Sequence, residues 1–220
     1  MKYIDLHAHS MLSYGVDTQK RMVFHAKRLG VELGLCDGKR CDRPMDIQGA
    51  ELQGCPQGIE IEASNKNELK NRLANSKDFD YVIVHGGDEH MNRLAVSDKR
   101  VDILAHPERE RRDSGVDPFT ARQAKKNNVS IEVNLRNLIF TRKNHRVNAL
   151  KNVKRHLMLS RKYGSGLIVT TGARSRLELR SGEGVSQLLK LLGFNETERE
   201  AAMVSVPEGI LEKKNFEGVI

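Results

Sequence analysis

Asp5-Leu6-His7-Ala8-His9-Ser10 is the segment of this 220-residue sequence best suited to chemistry. In extended backbone, residues i and i+2 point the same way, so His7 and His9 face one point, as two imidazole ligands of one metal should. Two packed histidines are the other reading of the same spacing. Glu60 in Gly58-Ile59-Glu60 and His106 in Leu104-Ala105-His106-Pro107 add a carboxylate and a third imidazole. Three histidines and a glutamate suit zinc, manganese or iron. His85, after Tyr81-Val82-Ile83-Val84, is a further ligand-type residue. His25, His90, His145 and His156 fall in helical or loop stretches and read as surface residues. Cys36, Cys41 and Cys55 are an odd number beside an N-terminus that does not read as a signal peptide, so reduced thiols and a cytoplasmic location are expected. Cys36 and Cys41 lack the two further ligands that a zinc site needs.

These residues are placed by short apolar runs at 3–6, 32–36, 58–62, 81–84, 101–105, 129–133 and 167–170, rich in Val, Ile and Leu as buried parallel strands are. Helical segments separate them. One runs over 18–29 and stops at Gly30. Asn65 with Glu68 opens another, and Asp117-Pro118 supplies an N-cap and first position for a third, running to Asn127. Helices are also expected over 147–163, with Leu150, Val153 and Leu157 on one side, and over 185–192, ending at Gly193. Asn195 and Glu198 form a capping box, and Pro207 opens a last helix. Strands alternating with helices imply a parallel sheet, closed into a barrel or open and doubly wound. No Gly-rich phosphate loop follows the first run, which disfavours the open form. Polar residues stand at the C-terminal end of nearly every run: His7 and His9, Asp37, Glu60, His85, His106, Asn134 and Thr171. Barrels collect their sites at that face. With no repeat and no low-complexity linker, residues 1–220 are expected to form a single α/β domain.

The composition is that of a globular chain, 38% hydrophobic and 30% charged, and no apolar run approaches the roughly 20 residues that span a bilayer. The net charge is +8. Its distribution says more than its size. Residues 133–177 contain no Asp or Glu and hold Arg136, Arg142, Lys143, Arg146, Lys151, Lys154, Arg155, Arg161, Lys162, Arg174 and Arg176. These cations outnumber the whole chain's net charge, so the remainder is net negative. A solvated basic helix face is the bland explanation, but such faces normally interleave acids. A polyanionic partner is the other, and nucleic acid is the obvious class. The stretch carries only Phe140 and Tyr163 as aromatics, and there is no Trp in the chain. That favours contact with a nucleic-acid backbone over stacking on bases.

The motifs around His7 and His9, Glu60 and His106 resemble those of the PHP family, distorted TIM-like (β/α) barrels that are mostly metal-dependent phosphoesterases. That family carries a late Asp-x-His, and here the matching place reads Gly172-Ala173-Arg174. Near Asp37, where the family often has Asp-His, the sequence reads Asp37-Gly38. Loss of two ligands weakens a multinuclear site, and an Arg brings a fixed cation close to it. Within this superfamily the chain is most similar to the archaeal ribonuclease P protein component 3 family, counterpart of the eukaryotic 30 kDa subunit. Ile131-Glu132-Val133-Asn134-Leu135, Leu167-Ile168-Val169-Thr170-Thr171-Gly172-Ala173, Leu179-Arg180-Ser181, Leu188-Leu189-Lys190-Leu191-Leu192-Gly193 and the tail around Val206-Pro207-Glu208-Gly209-Ile210-Leu211 carry that resemblance.

The resemblance implies a PHP-type barrel of about seven parallel strands. It also implies a non-catalytic subunit that binds ribonuclease P RNA and assists its Mg²⁺-dependent removal of 5′ leaders from precursor tRNA. The Mg²⁺ is then used by the RNA, and this chain holds no cofactor of its own. Its partners would be the RNA, protein component 2, other ribonuclease P proteins and, indirectly, precursor tRNA, with no membrane. Arg136, Arg142, Lys143, Arg146, Lys151, Arg155, Arg174, Arg176 and Arg180 are the expected RNA contacts. His7, His9, Glu60, His85 and His106 would be residual ligand positions. An active metal-dependent phosphoesterase of PHP type is the alternative.

Overall fold

The computed structural model describes residues 1–38 and 54–217. Cys41, and with it any pairing of Cys36 and Cys41, lies outside the described residues. Seven strands are present among those described: β1 (Ile4–Ala8), β2 (Glu32–Leu35), β3 (Gly58–Ile61), β4 (Tyr81–His85), β5 (Ile103–Ala105), β6 (Ser130–Asn134) and β7 (Leu167–Thr170). Each sequence-expected run overlaps one of them, with ends displaced by at most two residues. All neighbours are parallel and lie in chain order, as one ladder of β1 and β2 and another from β3 to β7. Bridges Leu35 to Gln57 and Ala8 to Ala173 join the two ladders on both sides. The sheet therefore closes into a distorted α/β barrel, with two seams where, among the described residues, strand pairing thins to a single bridge.

The interior is read by the period of two. Ile4, Leu6, Tyr81, Ile83, Ile103, Ala105 and Ile168 form one buried apolar cluster with Ile210. Gly58 makes room for the largest of these side chains, since a Cβ there would stand 2.3 Å from the Tyr81 ring. Ile210 belongs to α9 (Val206–Glu217), which closes the N-terminal end of the barrel. Lys2 before β1 bonds Glu208 at 2.5 Å, and Lys213 bonds Asp102 before β5 at 2.9 Å. Among the described residues the opposite end is left open as a mouth.

The outer faces of the strands are covered by α1 (Gln19–Arg28), α2 (Lys66–Ala74), α3 (Glu89–Ser97), α4 (Pro118–Asn127), α5 (Leu135–Ile139), α6 (Lys143–Tyr163) and α7 (Gly182–Leu191), and α8 (Glu196–Glu200) follows α7 with no buried residue of its own. The expected caps are in place. Thr18 accepts from the Arg21 amide, Asn65 from Asn67 and Glu68, and Asp117 from Thr120 behind Pro118. Asn195 and Glu198 make the full capping box. Some features differ from the sequence expectation, α7 among them, which starts at Gly182 and not at 185. α3 and α5 are additional to that expectation. α6 begins four residues earlier than expected, and its Leu150 is exposed while Ala149, Val153 and Leu157 are buried.

Candidate functional site

The mouth of the barrel is floored by imidazoles and carboxylates. β1 changes register between Asp5 and Ala8, an irregularity of the kind that re-aims side chains. His7 is thereby turned inward. Its Nδ1 lies 2.5 Å from Glu132 Oε1, and its Nε2 lies 3.5 Å from Glu60 Oε1. The His7 ring centroid is 5.1 Å from that of His9 and 5.4 Å from that of His106, and His85 and His106 are 4.7 Å apart. His9 Nδ1 stands 3.1 Å from the Cys36 carbonyl. A carbonyl only accepts, so Nδ1 carries the proton and Nε2 is left as a lone-pair donor. The structure thus brings together all five ligand-type residues named from the sequence.

It adds a sixth that sequence reasoning missed. Glu132 is buried at the centre of the floor. It accepts from Thr170 Oγ1 at 2.6 Å, from Asn134 Nδ2 at 3.1 Å and from the His106 amide at 3.1 Å. The signal was present: Glu132 stands between Ile131 and Val133, both packed outward, so alternation turns the acid into the barrel. His106 itself has φ +47, a left-handed conformation uncommon for a side-chain-bearing residue and held here by its surroundings. Asn92 of α3 supports that turn by donating to the Pro107 and Gly115 carbonyls, both at 2.9 Å.

Electrostatics sort these groups. Burial would lower the His7 pKa, but Glu132 and then Glu60 outweigh it and raise it to about 10. Burial works against ionisation of Glu60 and Glu132, yet His7 and neighbouring imidazoles hold both well below the ordinary carboxylate range. Burial, then the charge on His7, lowers His9 to about 4; burial and His106 do the same for His85. Beside the floor, burial raises Asp5 to about 6 against hydrogen bonds from Thr171.

The donor set fits a divalent metal. His7, His9 and Glu60 form one triad with ligand atoms within 4.8 Å of one another; His7, His106 and Glu132 form a second; Glu60, His85 and His106 a third. Among the described residues Glu60 Oε2 is buried with no hydrogen-bond partner, the kind of orphan a cation satisfies. Nitrogen and carboxylate donors of this sort suit zinc, manganese or iron. The late ligand position is closed. Gly172 has φ +59, and a Cβ there would lie 2.7 Å from both polar atoms of the Asn134 amide. Asp37 is no ligand either: it accepts from the Ser10 amide and hydroxyl, Ser13 and Gln19, which ties down the loop after β1.

Above the floor opens a cavity of about 680 Å³, whose lining includes Tyr14, Arg109, Arg111, Arg136, Phe140, His145 and Arg174. Arg174 stacks on Tyr14, 5.5 Å from its centroid, and Tyr14 in turn stands edge-on to His9. Of the expected RNA contacts, Arg142, Lys143, Arg146, Lys151, Arg155 and Arg174 are exposed, while Arg136, Arg176 and Arg180 are half-buried. Arg136 pairs with Glu178 and Arg176 with Asp17, and outside that set Arg161 pairs with Glu198. The acid-free stretch is therefore partly neutralised in space by acids from elsewhere in the chain. Arg146 and Arg180 donate to backbone carbonyls. His156, read as a surface residue, is instead buried, with Nε2 2.9 Å from the Ser114 carbonyl; α6 rolls that side of itself onto the barrel. No helix among the described residues is long and apolar enough to cross a membrane.

Comparison with known proteins places this arrangement. The family described as RNase P subunit p30 matches residues 2–216. Ribonuclease P protein component 3 of Methanococcoides burtonii is 33% identical over 92% of this chain and 85% of its own length. Among solved structures, a chain from the cryo-EM structure of an archaeal ribonuclease P with mature tRNA superposes with a TM-score of 0.79 at 19% identity, covering 97% of this chain and 91% of that one. A crystal structure of an Agrobacterium tumefaciens protein in its apo state gives a TM-score of 0.62 at 11% identity, over 96% and 95% of the two chains. At such identities the two structures speak for the fold alone.

Proposed function

The chain belongs to the RNase P subunit p30 family, and from that premise we propose that it binds the catalytic RNA of ribonuclease P and assists Mg²⁺-dependent removal of 5′ leaders from precursor tRNA without cutting RNA itself. It is a ribonuclease P protein subunit. The observation that carries the proposal is the outer face of α6 and its approach. Arg142, Lys143, Lys151 and Arg155 are exposed, and among the described residues none of the four is in an ion pair. Such cations neutralise phosphates, release counterions and let RNA helices approach one another. Binding one RNA conformer shifts the population toward it, which lowers the Mg²⁺ needed for activity. We place protein component 2 and the other ribonuclease P proteins beside it as partners, in the cytoplasm.

Reconstitution tests this. Catalytic RNA with component 2 is assayed with and without this chain at limiting Mg²⁺. Added chain is expected to raise precursor-tRNA cleavage; no gain would remove the proposal.

A second reading, a metal-dependent phosphoesterase of PHP type, is favoured by the three overlapping triads and the orphaned Glu60 oxygen. When bound, a metal there would polarise a phosphoryl oxygen or activate water. The closed position at Gly172 weighs against it. Metal analysis of protein purified without chelator, with a phosphoesterase assay in Mn²⁺ or Zn²⁺, separates the two. Stoichiometric metal and turnover abolished in His7→Ala would favour the enzyme.

A further inference from the structure

The wall of the mouth cavity differs in kind from its floor. α6 turns His145, Asn148 and Asn152 into the cavity, spaced three and four residues apart and therefore on one face of the helix. Among the described residues the side chains of Asn148 and Asn152 make no hydrogen bond. Each primary amide has donors and an acceptor to offer an incoming group. Two aromatic rings line the same cavity, each with a guanidinium already over it: Arg174 on Tyr14, and Arg136 on Phe140 at 4.9 Å from the centroid. Phe140 is 49% exposed. Aromatic and guanidinium planes are the surfaces on which unpaired nucleobases stack.

Size and charge narrow the ligand. A cavity of about 680 Å³ is of small-ligand dimensions, within the general range of about 300–1,000 Å³. A nucleotide fits it; an RNA duplex does not. The carboxylates of Glu60 and Glu132 at the floor repel a phosphate, whereas Arg174 at the rim attracts one. α6 also shows Lys151 and Arg155 to solvent, so the helix that walls the cavity is the one proposed above to follow an RNA backbone.

We propose that the cavity receives one unpaired nucleotide of the bound RNA, its base against the α6 amides and the arginine-backed rings and its phosphate at Arg174. This rests on the RNA-binding reading above and adds base contact to it. Tyr14 and Phe140 lie far apart in the chain, so the sparse aromatic content gave no sign that they meet at one cavity.

The test uses the full-length protein with two probes: a five-nucleotide single-stranded RNA, and a blunt RNA duplex. Ring resonances of His145 are followed by NMR, and affinities are measured for both probes. The pentamer is expected to shift the His145 signals. In the double variant Asn148→Ala, Asn152→Ala its affinity should fall about tenfold, as loss of hydrogen bonds at two amides implies, with duplex affinity held within about twofold. Phe140→Ala, at an exposed position, should weaken the pentamer independently. His145 signals unmoved by a saturating pentamer while the duplex still binds, or pentamer affinity unchanged in both variants, would overturn the nucleotide site and leave the backbone-binding proposal standing. Pentamer binding in the cavity by a chain that gives no gain in reconstitution would keep the site and remove the ribonuclease P role proposed for it.

Discussion

His7 Nδ1 and Glu132 Oε1 stand 2.5 Å apart across the barrel mouth, joining β1 of the small ladder to β6 of the large one. Both side chains are almost wholly buried. Asp5 with Thr171 and His7 with Glu60 also link the two ladders, so this charge-assisted contact is one of several ties between them as well as part of the site. Removing one member of a buried pair leaves the other uncompensated, at a cost of about 3–5 kcal/mol. Glu132→Ala is therefore expected to lose about that much stability in chemical denaturation. A loss below about 1 kcal/mol would show that the pair does not hold the seam.

The same pair sets a pH dependence in metal-free, chelator-treated protein. The pKa of His7 is raised from its ordinary value of 6.5 to about 10 by Glu132 and Glu60 against burial. A group raised on folding contributes fully below its unfolded pKa and loses that contribution as pH climbs through the folded value. Stability supplied by His7 should thus be intact at about pH 6 and decline as pH rises from about 7 to 10. Denaturation midpoints compared between wild type and His7→Gln across this range check it; parallel curves would contradict it.

Gly172 should not accept the aspartate that the PHP pattern would place there. Its φ of +59 strains any L side chain, and a Cβ would meet the Asn134 amide at 2.7 Å. Gly172→Asp is expected to lose about 1–3 kcal/mol from overpacking and to add no metal affinity. Titration of the variant with Zn²⁺ or Mn²⁺ beside wild type measures the second point. A clear gain in affinity would mean that the loop after β7 yields where the packing says it does not.

Lys151 and Arg155 carry the proposed backbone binding. Charge reversal at each should reduce the slope of log affinity against log salt by about one for every phosphate that the side chain no longer neutralises. Arg161 and Arg176, already paired with Glu198 and Asp17, should change the slope less. Salt-dependent binding to ribonuclease P RNA distinguishes them; an unchanged slope in both reversed variants would take Lys151 and Arg155 out of the interface.

The sequence by itself determined the seven strands, the capped helices and the face of the barrel on which the site lies. Those are local matters: apolar runs of four or five residues, Thr18, Asn65, Asp117 and Asn195 before helices, and polar residues at strand ends all act through near neighbours. It also singled out His7, His9, Glu60, His85 and His106 and the absence of a late carboxylate at Gly172. Only the tertiary structure decided what surrounds them. Glu132 becomes the centre of the floor because closing the barrel brings β6 opposite His7, an approach between residues distant in the chain. The acid-free stretch loses part of its field to Glu178, Asp17 and Glu198, which arrive from outside it. His156 proves buried and Leu150 exposed because the packing of α6 selects which side it buries, and helical periodicity alone leaves that rotation open by a residue. Charge and hydrophobicity are read along a chain, but fields, cavities and ligand sets are made by groups that folding brings together.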